Sequence, residues 1–236
     1  MYDQKYEVGR IGSIPVCLDG SFILLVLFFG SSWLLSGSVG TLIVGLFVVV
    51  GGIGSILVHE LAHAWAGHIC RIPTTHIELN GMGGLCFLER QGERREDEIF
   101  ILLAGPASNL ALWALFYWAL WWFAYYDAFD LPDQAAAPVY QVLSALARLN
   151  LAMFLFNLAP SFPLDGGRAL SAWLTKRLDL ATSVEVVATL GWGVCAICVY
   201  LAFARHPMFM FLALHLFIAN RSAMAVEGAR RWQRRD

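Results

Sequence analysis

Two histidines and a glutamate stand together in an apolar stretch, in the motif HELAH at residues 59–63. Residues four apart share one face of a helix, so His59 and His63 can point two imidazoles at one metal ion. Glu60 lies roughly 100° round the helix from His59, where it can act on a water molecule beside that metal. An acidic residue in a membrane helix costs about 2.5–3.5 kcal/mol and is usually retained for function. The motif therefore predicts a hydrolytic zinc site within a membrane.

The composition is that of a membrane protein. Of the 236 residues, 58% are hydrophobic and only 14% are charged, whereas a soluble domain has about a quarter charged residues. The net charge of -2 says little about partners, and no basic surface indicates a nucleic-acid partner. The apolar composition makes the lipid bilayer the expected surroundings. Five cysteines fit no disulfide framework, and we interpret Cys195 and Cys198 as small core residues.

The apolar segments predict an all-α polytopic membrane protein with six transmembrane helices, a broken fourth helix and a small β-hairpin after the second. We expect one membrane-embedded domain over residues 1–236, with crossings at 20–36, 41–69, 99–126, 139–177, 184–204 and 208–225. The fourth crossing is expected to break at 157–167, because two prolines and two glycines cannot continue a regular helix there. Irregular backbone at membrane depth is tolerated where it lines a cavity or is buried in protein, and Asp165 falls at that point.

The segment after the second crossing has the pattern of a β-hairpin. Residues 74–79 alternate in the β manner, 80–84 read NGMGG, and 85–88 can return as a second strand. An irregular glycine loop is the alternative. The polar residues 1–19 are expected to form an extended segment on the membrane face.

Basic residues give the expected orientation. With the N-terminus inside, every one of the 16 lysines and arginines except Arg148 and Arg205 falls on the cytoplasmic side. Both termini are therefore expected in the cytoplasm. His59 then lies about 27 Å into the second crossing, toward the cytoplasmic leaflet. Asp165 and the cluster Gly105-Pro106-Asn109 fall in the same leaflet, so the separated polar groups are expected to converge.

The converging groups suggest a catalytic zinc site. Catalytic zinc keeps three protein ligands and one open position, and Asp165 is the third ligand by elimination, beside His59 and His63. Zinc would lower the pKa of a water molecule and polarise the scissile carbonyl, while Glu60 would move a proton from the water to the leaving amine. Asn157 could hold the substrate backbone or the oxyanion; a cap at the helix break is the alternative. We interpret Asn109 as structural.

These motifs are also those of a known family. HELAH in a membrane helix, AGPASN at 104–109 and NLAPSFPLDGGR at 157–168 resemble the site-2 protease family of intramembrane zinc metalloproteases. Residues 12–16 and 21–25 look like that family's usual start, and the resemblance covers about residues 9–225. It implies a six-helix membrane fold, one zinc ion on His59, His63 and Asp165, and Glu60 as the catalytic base.

The resemblance also implies a substrate. Family members cut the transmembrane segments of single-span proteins, often after another protease has trimmed them, so the expected partner is such a membrane protein, for example one similar to an anti-sigma factor. The hairpin would receive the substrate as an added strand, through Asn80, Gly81, Gly83 and Gly84. We expect the prokaryotic cell (inner) membrane as the location, and a short form without PDZ or CBS domain.

Three other readings remain at this point. A catalytically silent chaperone or binding homologue of the same fold would not need all of Glu60, His59, His63 and Asp165. A metal transporter would place polar residues across the whole membrane thickness rather than in one leaflet. A zinc protease of another membrane family would take a glutamate from a later helix as its third ligand, and no such segment follows.

Overall fold

The computed structural model describes residues 5–34, 38–90, 94–125, 133–205 and 208–233. Those residues form four strands and seven helices, in the order β1 (Lys5–Ile11), β2 (Ile14–Asp19), α1 (Phe22–Leu34), α2 (Val39–Ile69), β3 (Thr74–Asn80), β4 (Gly83–Leu88), α3 (Arg95–Tyr125), α4 (Asp133–Asn157), α5 (Asp165–Leu174), α6 (Leu180–Ala204) and α7 (Met208–Gln233). In this part of the chain, five helices are long and apolar enough to cross a membrane: α2, α3, α4, α6 and α7. The protein is a mostly helical, multi-pass integral membrane protein.

The structure is mostly helical, as expected, but its strands form a four-stranded sheet rather than the single predicted hairpin. β3 and β4 form the predicted antiparallel hairpin, so the glycine-loop alternative is excluded. Residues 5–19, expected as an extended segment, form a second hairpin whose turn uses Gly12 at φ +61°. β2 pairs with β3 in parallel, at Val16↔Ile77, which gives the order β1-β2-β3-β4. This pairing joins segments about sixty residues apart, so no local pattern announces it.

The first expected crossing, 20–36, corresponds to α1. This helix has 13 residues, fewer than the roughly 20 that span a bilayer, and it is not among the five helices long enough to cross. Residues 35–37 of that crossing lie outside the described residues. The other five expected segments overlap α2, α3, the pair α4 and α5, α6, and α7, and the six crossings stay a prediction.

The break in the fourth crossing is shorter than predicted, since α5 already begins at Asp165. Gly166 and Gly167 belong to its first turn rather than to the break. A Cβ on Gly166 would meet the backbone of Leu158, and one on Gly167 would meet the backbone of Ser161. The two glycines are therefore needed for close packing of the helix start against its own loop.

Contacts divide the chain into two compact units, and the first comprises residues 1–91 and 104–154. Its core joins the sheet to the helices: Val16, Ile77 and Leu79 are buried together with Phe22 of α1. Apolar residues of α2 complete this core, namely Ile53, Ile56, Leu57 and Leu61. The sheet is thereby fixed on the part of α2 that carries the HELAH motif.

Glycines of α2 allow other helices to approach closely, which is the usual role of small residues in membrane helices. A Cβ on Gly45 would collide with Trp33 of α1, and one on Gly51 would lie 2.8 Å from the Leu146 side chain of α4. Gly52 similarly faces Leu149 of α4 at 3.1 Å. These glycines serve packing.

The second unit comprises residues 92–103 and 155–236. Its core contains Leu164, Leu216, Cys195 and Cys198, which confirms the interpretation of both cysteines as packing residues. No disulfide bond joins the five cysteines, all of which lie in the described residues.

Asn220 of α7 holds the loop between α4 and α5. This fully buried side chain donates to Ser161 Oγ at 2.8 Å and accepts from the Phe162 N–H at 3.2 Å. Its amide also donates to Leu216 O at 2.7 Å. Because Asp165 follows directly on this loop, the hydrogen bonds of Asn220 to the loop fix the position of the Asp165 backbone.

We expect Gly191→Ala to destabilise the protein. The added Cβ would lie 2.6 Å from Asn220 Nδ2 and 2.7 Å from Cγ, and overpacking of this kind costs about 1–3 kcal/mol. Thermal unfolding in detergent should show a lower Tm. Gly193→Ala is the matched control, since no atom lies within 4 Å of its added Cβ on the same helix. Equal Tm values for the two variants would contradict a stabilising role of the Asn220 hydrogen bonds.

Candidate metal centre

The histidines of α2 meet at their Nε2 atoms. His59 and His63 are buried, and their Nε2 atoms are 3.1 Å apart. The two rings are nearly perpendicular, with an interplanar angle of 82°. One helical turn separates the two residues, as the motif predicted. Both imidazoles therefore present the same nitrogen to one point, which is the arrangement of a shared metal ion.

Helix α3 is adapted to these histidines at Gly105 and Asn109. A Cβ on Gly105 would overlap the Nε2 atoms of His59 and His63, so only glycine allows α3 to pass beside them. One turn later, fully buried Asn109 accepts the His59 Nδ1–H at 2.6 Å through its Oδ1. Asn109 was interpreted as structural, and the structure places it directly behind a metal ligand.

Two further polar residues of this region were missed by sequence reasoning. Asn109 Nδ2 donates to Asn150 Oδ1 at 3.0 Å, and Asn150 Nδ2 donates to Ser55 Oγ at 2.9 Å. Asn150 is fully buried and Ser55 nearly so. The available signal was an asparagine in the apolar run of α4, since polar side chains in membrane helices are usually functional.

Glu60 lies beside the sheet. It is 4% exposed, and a Cβ on Gly84 of β4 would come within 2.6 Å of its Oε1. β4 is the last strand in the sheet and pairs only with β3 among the described strands. The carboxylate of Glu60 therefore faces the strand whose outer edge is unpaired within this sheet.

The first residue of α5 is Asp165, which is 9% exposed. A carboxylate is favoured at a helix N-terminus by the helix dipole. Within the described residues, the two imidazoles of His59 and His63 and the carboxylate of Asp165 form a group that can hold a metal ion. The donor set fits a divalent transition metal, and the hydrogen bond to His59 Nδ1 leaves its Nε2 to the metal.

The structure shows the positions of the remaining predicted site residues, whereas their roles stay predictions. Asn157 is the half-buried last residue of α4. Asn80 accepts the Met82 N–H at 2.9 Å, and the Gly81 N–H donates to Ser21 Oγ at 2.9 Å, so both shape the hairpin turn. The substrate-binding roles of Asn80, Gly81, Gly83 and Gly84 stay predictions.

We expect Gly84→Ala to lower the turnover of any peptide hydrolysis without removing the metal. The new methyl group would displace the Glu60 side chain, to which its three nearest atoms all belong. Metal content by mass spectrometry and cleavage rates measured together should show a normal content and a reduced kcat. Gly9→Ala on β1, with no atom within 4 Å of its Cβ, is the matched control and should leave both unchanged. Loss of metal from Gly84→Ala would contradict this assignment.

The fold and the site define a multi-pass membrane protein with a buried metal centre of two histidines and one aspartate. Comparison with known proteins agrees with this class. The family model for peptidase family M50 matches residues 45–137. The solved structure of the site-2 protease from Methanocaldococcus jannaschii superposes with a TM-score of 0.66 over 93% of this chain and 95% of that one, at 23% identity, which shows a shared fold. The chain belongs to peptidase family M50, the site-2 protease family.

Three similar proteins illustrate the family, and two of them have zinc metalloprotease names. The zinc metalloprotease MJ0392 of Methanocaldococcus jannaschii is 30% identical over 77% of this chain and 49% of its own length. The putative zinc metalloprotease Rip3 of Mycobacterium tuberculosis is 34% identical over 72% of this chain and 44% of its own. Stage IV sporulation protein FB of Bacillus subtilis is 28% identical over 69% and 54%. The chain thus spans about half the length of these relatives.

Proposed function

We propose that the protein is an intramembrane zinc metalloprotease, which hydrolyses a peptide bond within or next to the transmembrane segment of a membrane protein. One observation carries the proposal: a buried glutamate stands on the same helical turn as two histidines whose Nε2 atoms are 3.1 Å apart. Membership of family M50 supports it. An interhelical structural role would not need a carboxylate next to the paired imidazoles.

The proposed metal is one zinc ion held by His59, His63 and Asp165. Two nitrogen ligands and one oxygen ligand leave one position open, as in catalytic zinc sites. When bound there, zinc acts as a Lewis acid toward water and the scissile carbonyl. The names of the relatives MJ0392 and Rip3 support zinc over other divalent ions.

Glu60 moves the proton in the proposed reaction. Its carboxylate takes a proton from the attacking water and delivers it to the leaving amine, which keeps the proton balance of hydrolysis. Burial of Glu60 excludes competing bulk water from the carboxylate. Asn157 donates its amide N–H to the substrate backbone or to the developing oxyanion, a contribution of a few kcal/mol.

We place the substrate on β4 as an added strand. The outer edge of β4 has no strand partner within the described sheet, and Gly84 on this strand faces Glu60. A transmembrane helix shields its peptide bonds with its own hydrogen bonds, so the substrate must unwind before hydrolysis. Pairing with an edge strand replaces the lost backbone hydrogen bonds. Gly83 and Gly84 leave room for the approach, while Asn80 and Gly81 hold the turn.

The proposed topology has six crossings, with α1 as the first. The 13-residue α1 exposes Ile23, Leu24 and Leu27, which suits a lipid-facing helix. The distribution of lysine and arginine supports two cytoplasmic termini. The proposed location is the inner membrane of a prokaryotic cell. The catalytic machinery forms one membrane-embedded domain over residues 1–236. The substrate is a single-span membrane protein, such as a trimmed protein similar to an anti-sigma factor.

Comparison of membrane proteomes tests the activity. Cells expressing the wild type or Glu60→Gln at equal levels are analysed for truncated single-span proteins. Accumulation of these precursors only with Glu60→Gln is the expected result, and the fragments identify the substrates. Matching proteomes, together with about one zinc per purified wild-type chain, would favour the alternative of a catalytically silent chaperone of the same fold.

A further inference from the structure

A hydrogen-bond network of buried polar side chains extends from the metal ligand His59 into the neighbouring helices. The network consists of His59, Asn109, Asn150 and Ser55, linked by hydrogen bonds of 2.6, 3.0 and 2.9 Å. We infer that Asn150 and Ser55 are positioning residues, which fix the tautomer of His59 through Asn109. The inference rests on the proposed zinc site and adds residues that do not touch the metal.

Two backbone carbonyls determine which groups donate and which accept in this hydrogen-bond network. Asn150 Nδ2 donates to Leu146 O at 2.9 Å, four residues earlier on α4. A carbonyl oxygen can only accept, so the amide nitrogen of Asn150 must face Leu146. Ser55 Oγ likewise donates to Gly51 O at 2.9 Å on α2, which leaves its lone pairs to accept from Asn150. Both contacts assign the same orientation to the Asn150 amide.

This orientation is passed on to the histidine. With its nitrogen committed, Asn150 offers only Oδ1 to Asn109, so Asn109 must present Nδ2 to Asn150 and Oδ1 to His59. Oδ1 is an acceptor, and the proton of neutral His59 must therefore reside on Nδ1. The Nε2 lone pair is then directed to the point shared with His63 Nε2. The wrong tautomer would place an N–H where the metal binds.

Burying the polar side chains of this network in membrane-length helices costs free energy, so we expect the network to serve a function. Asn109 and Asn150 are fully buried and Ser55 is 2% exposed, all on helices long enough to cross a membrane. Simple helix–helix adhesion is met by glycine contacts such as Gly51 with Leu146. Polar partners behind a metal-bound histidine typically change metal affinity about 10- to 100-fold, although they never touch the metal.

Zinc affinity of the purified full chain tests the inference without any substrate. Competition with a chelator in detergent should show about tenfold weaker zinc binding for Asn150→Leu and a smaller loss for Ser55→Ala, because Leu146 O still orients Asn150. Ser183→Ala is the matched control. Ser183 is also fully buried and donates to its own i−4 carbonyl, Asp179 O, at 2.9 Å on α6. This variant should bind zinc like the wild type.

A second measurement includes the wild type, whose result does not depend on how the variants fold. Nitrogen-15 NMR of the metal-free protein with labelled histidine should report the Nδ1–H tautomer at His59, and Asn150→Leu should give a mixture. An Nε2–H tautomer in the wild type would overturn the inference. So would wild-type zinc affinity in Asn150→Leu, or an equal loss in Ser183→Ala. Failure of cleavage with intact zinc binding would instead count against the proposed protease activity alone.

Discussion

Glu60→Gln is expected to abolish peptide cleavage while the zinc content stays at about one per chain. Glutamine keeps the size of the side chain and its packing beside Gly84, but an amide cannot accept the proton of the attacking water. Loss of a general base typically costs about 10²–10⁴-fold in rate. His59 and His63 remain in place, so the loss should appear in kcat.

The measurement uses protein reconstituted into liposomes together with a single-span substrate found by the proteome comparison. Cleavage is followed by gel electrophoresis, and zinc by mass spectrometry of the same samples. Glu185→Gln is the control, because Glu185 is an exposed glutamate on α6 that lies outside the site. Residual activity of Glu60→Gln within tenfold of the wild type would remove Glu60 as the general base.

Gly105→Ala is expected to weaken zinc binding by roughly 10- to 100-fold. The added methyl group would occupy the space of both ligating nitrogens, with His59 Nε2 at 2.6 Å from the new Cβ. Overpacking costs about 1–3 kcal/mol, and the histidines must turn away because α3 packs beside them as a rigid helix. Activity should fall in proportion to the zinc that is lost.

Zinc titration of the metal-depleted protein measures this effect. Gly54→Ala is the matched control: Gly54 is also a glycine within a membrane-length helix, and no atom lies within 4 Å of its added Cβ. That variant should bind zinc normally and be slightly more stable, since alanine favours helix over glycine by about 1 kcal/mol. Equal zinc affinity in Gly105→Ala and Gly54→Ala would show that α3 does not limit the space of the ligands.

The sequence by itself determined the membrane class, the helices and the chemistry of the centre. These features are local: an apolar run long enough to span a bilayer predicts α2, and a spacing of four residues predicts that His59 and His63 share a face. Asp165 could be found because acids are rare in apolar segments. The hairpin 74–88 followed from alternation around a glycine-rich turn.

Only the tertiary structure decided the features that depend on distant partners. The parallel pairing of β2 with β3 turned one predicted hairpin into a four-stranded sheet. Asn109 appeared structural, and Asn150 was not noticed, because a hydrogen bond between residues 41 or 50 positions apart leaves no periodic signal. The need for Gly105 follows from two imidazoles on another helix. Side-chain type and spacing are encoded locally, whereas the neighbours that orient a metal ligand are set by packing.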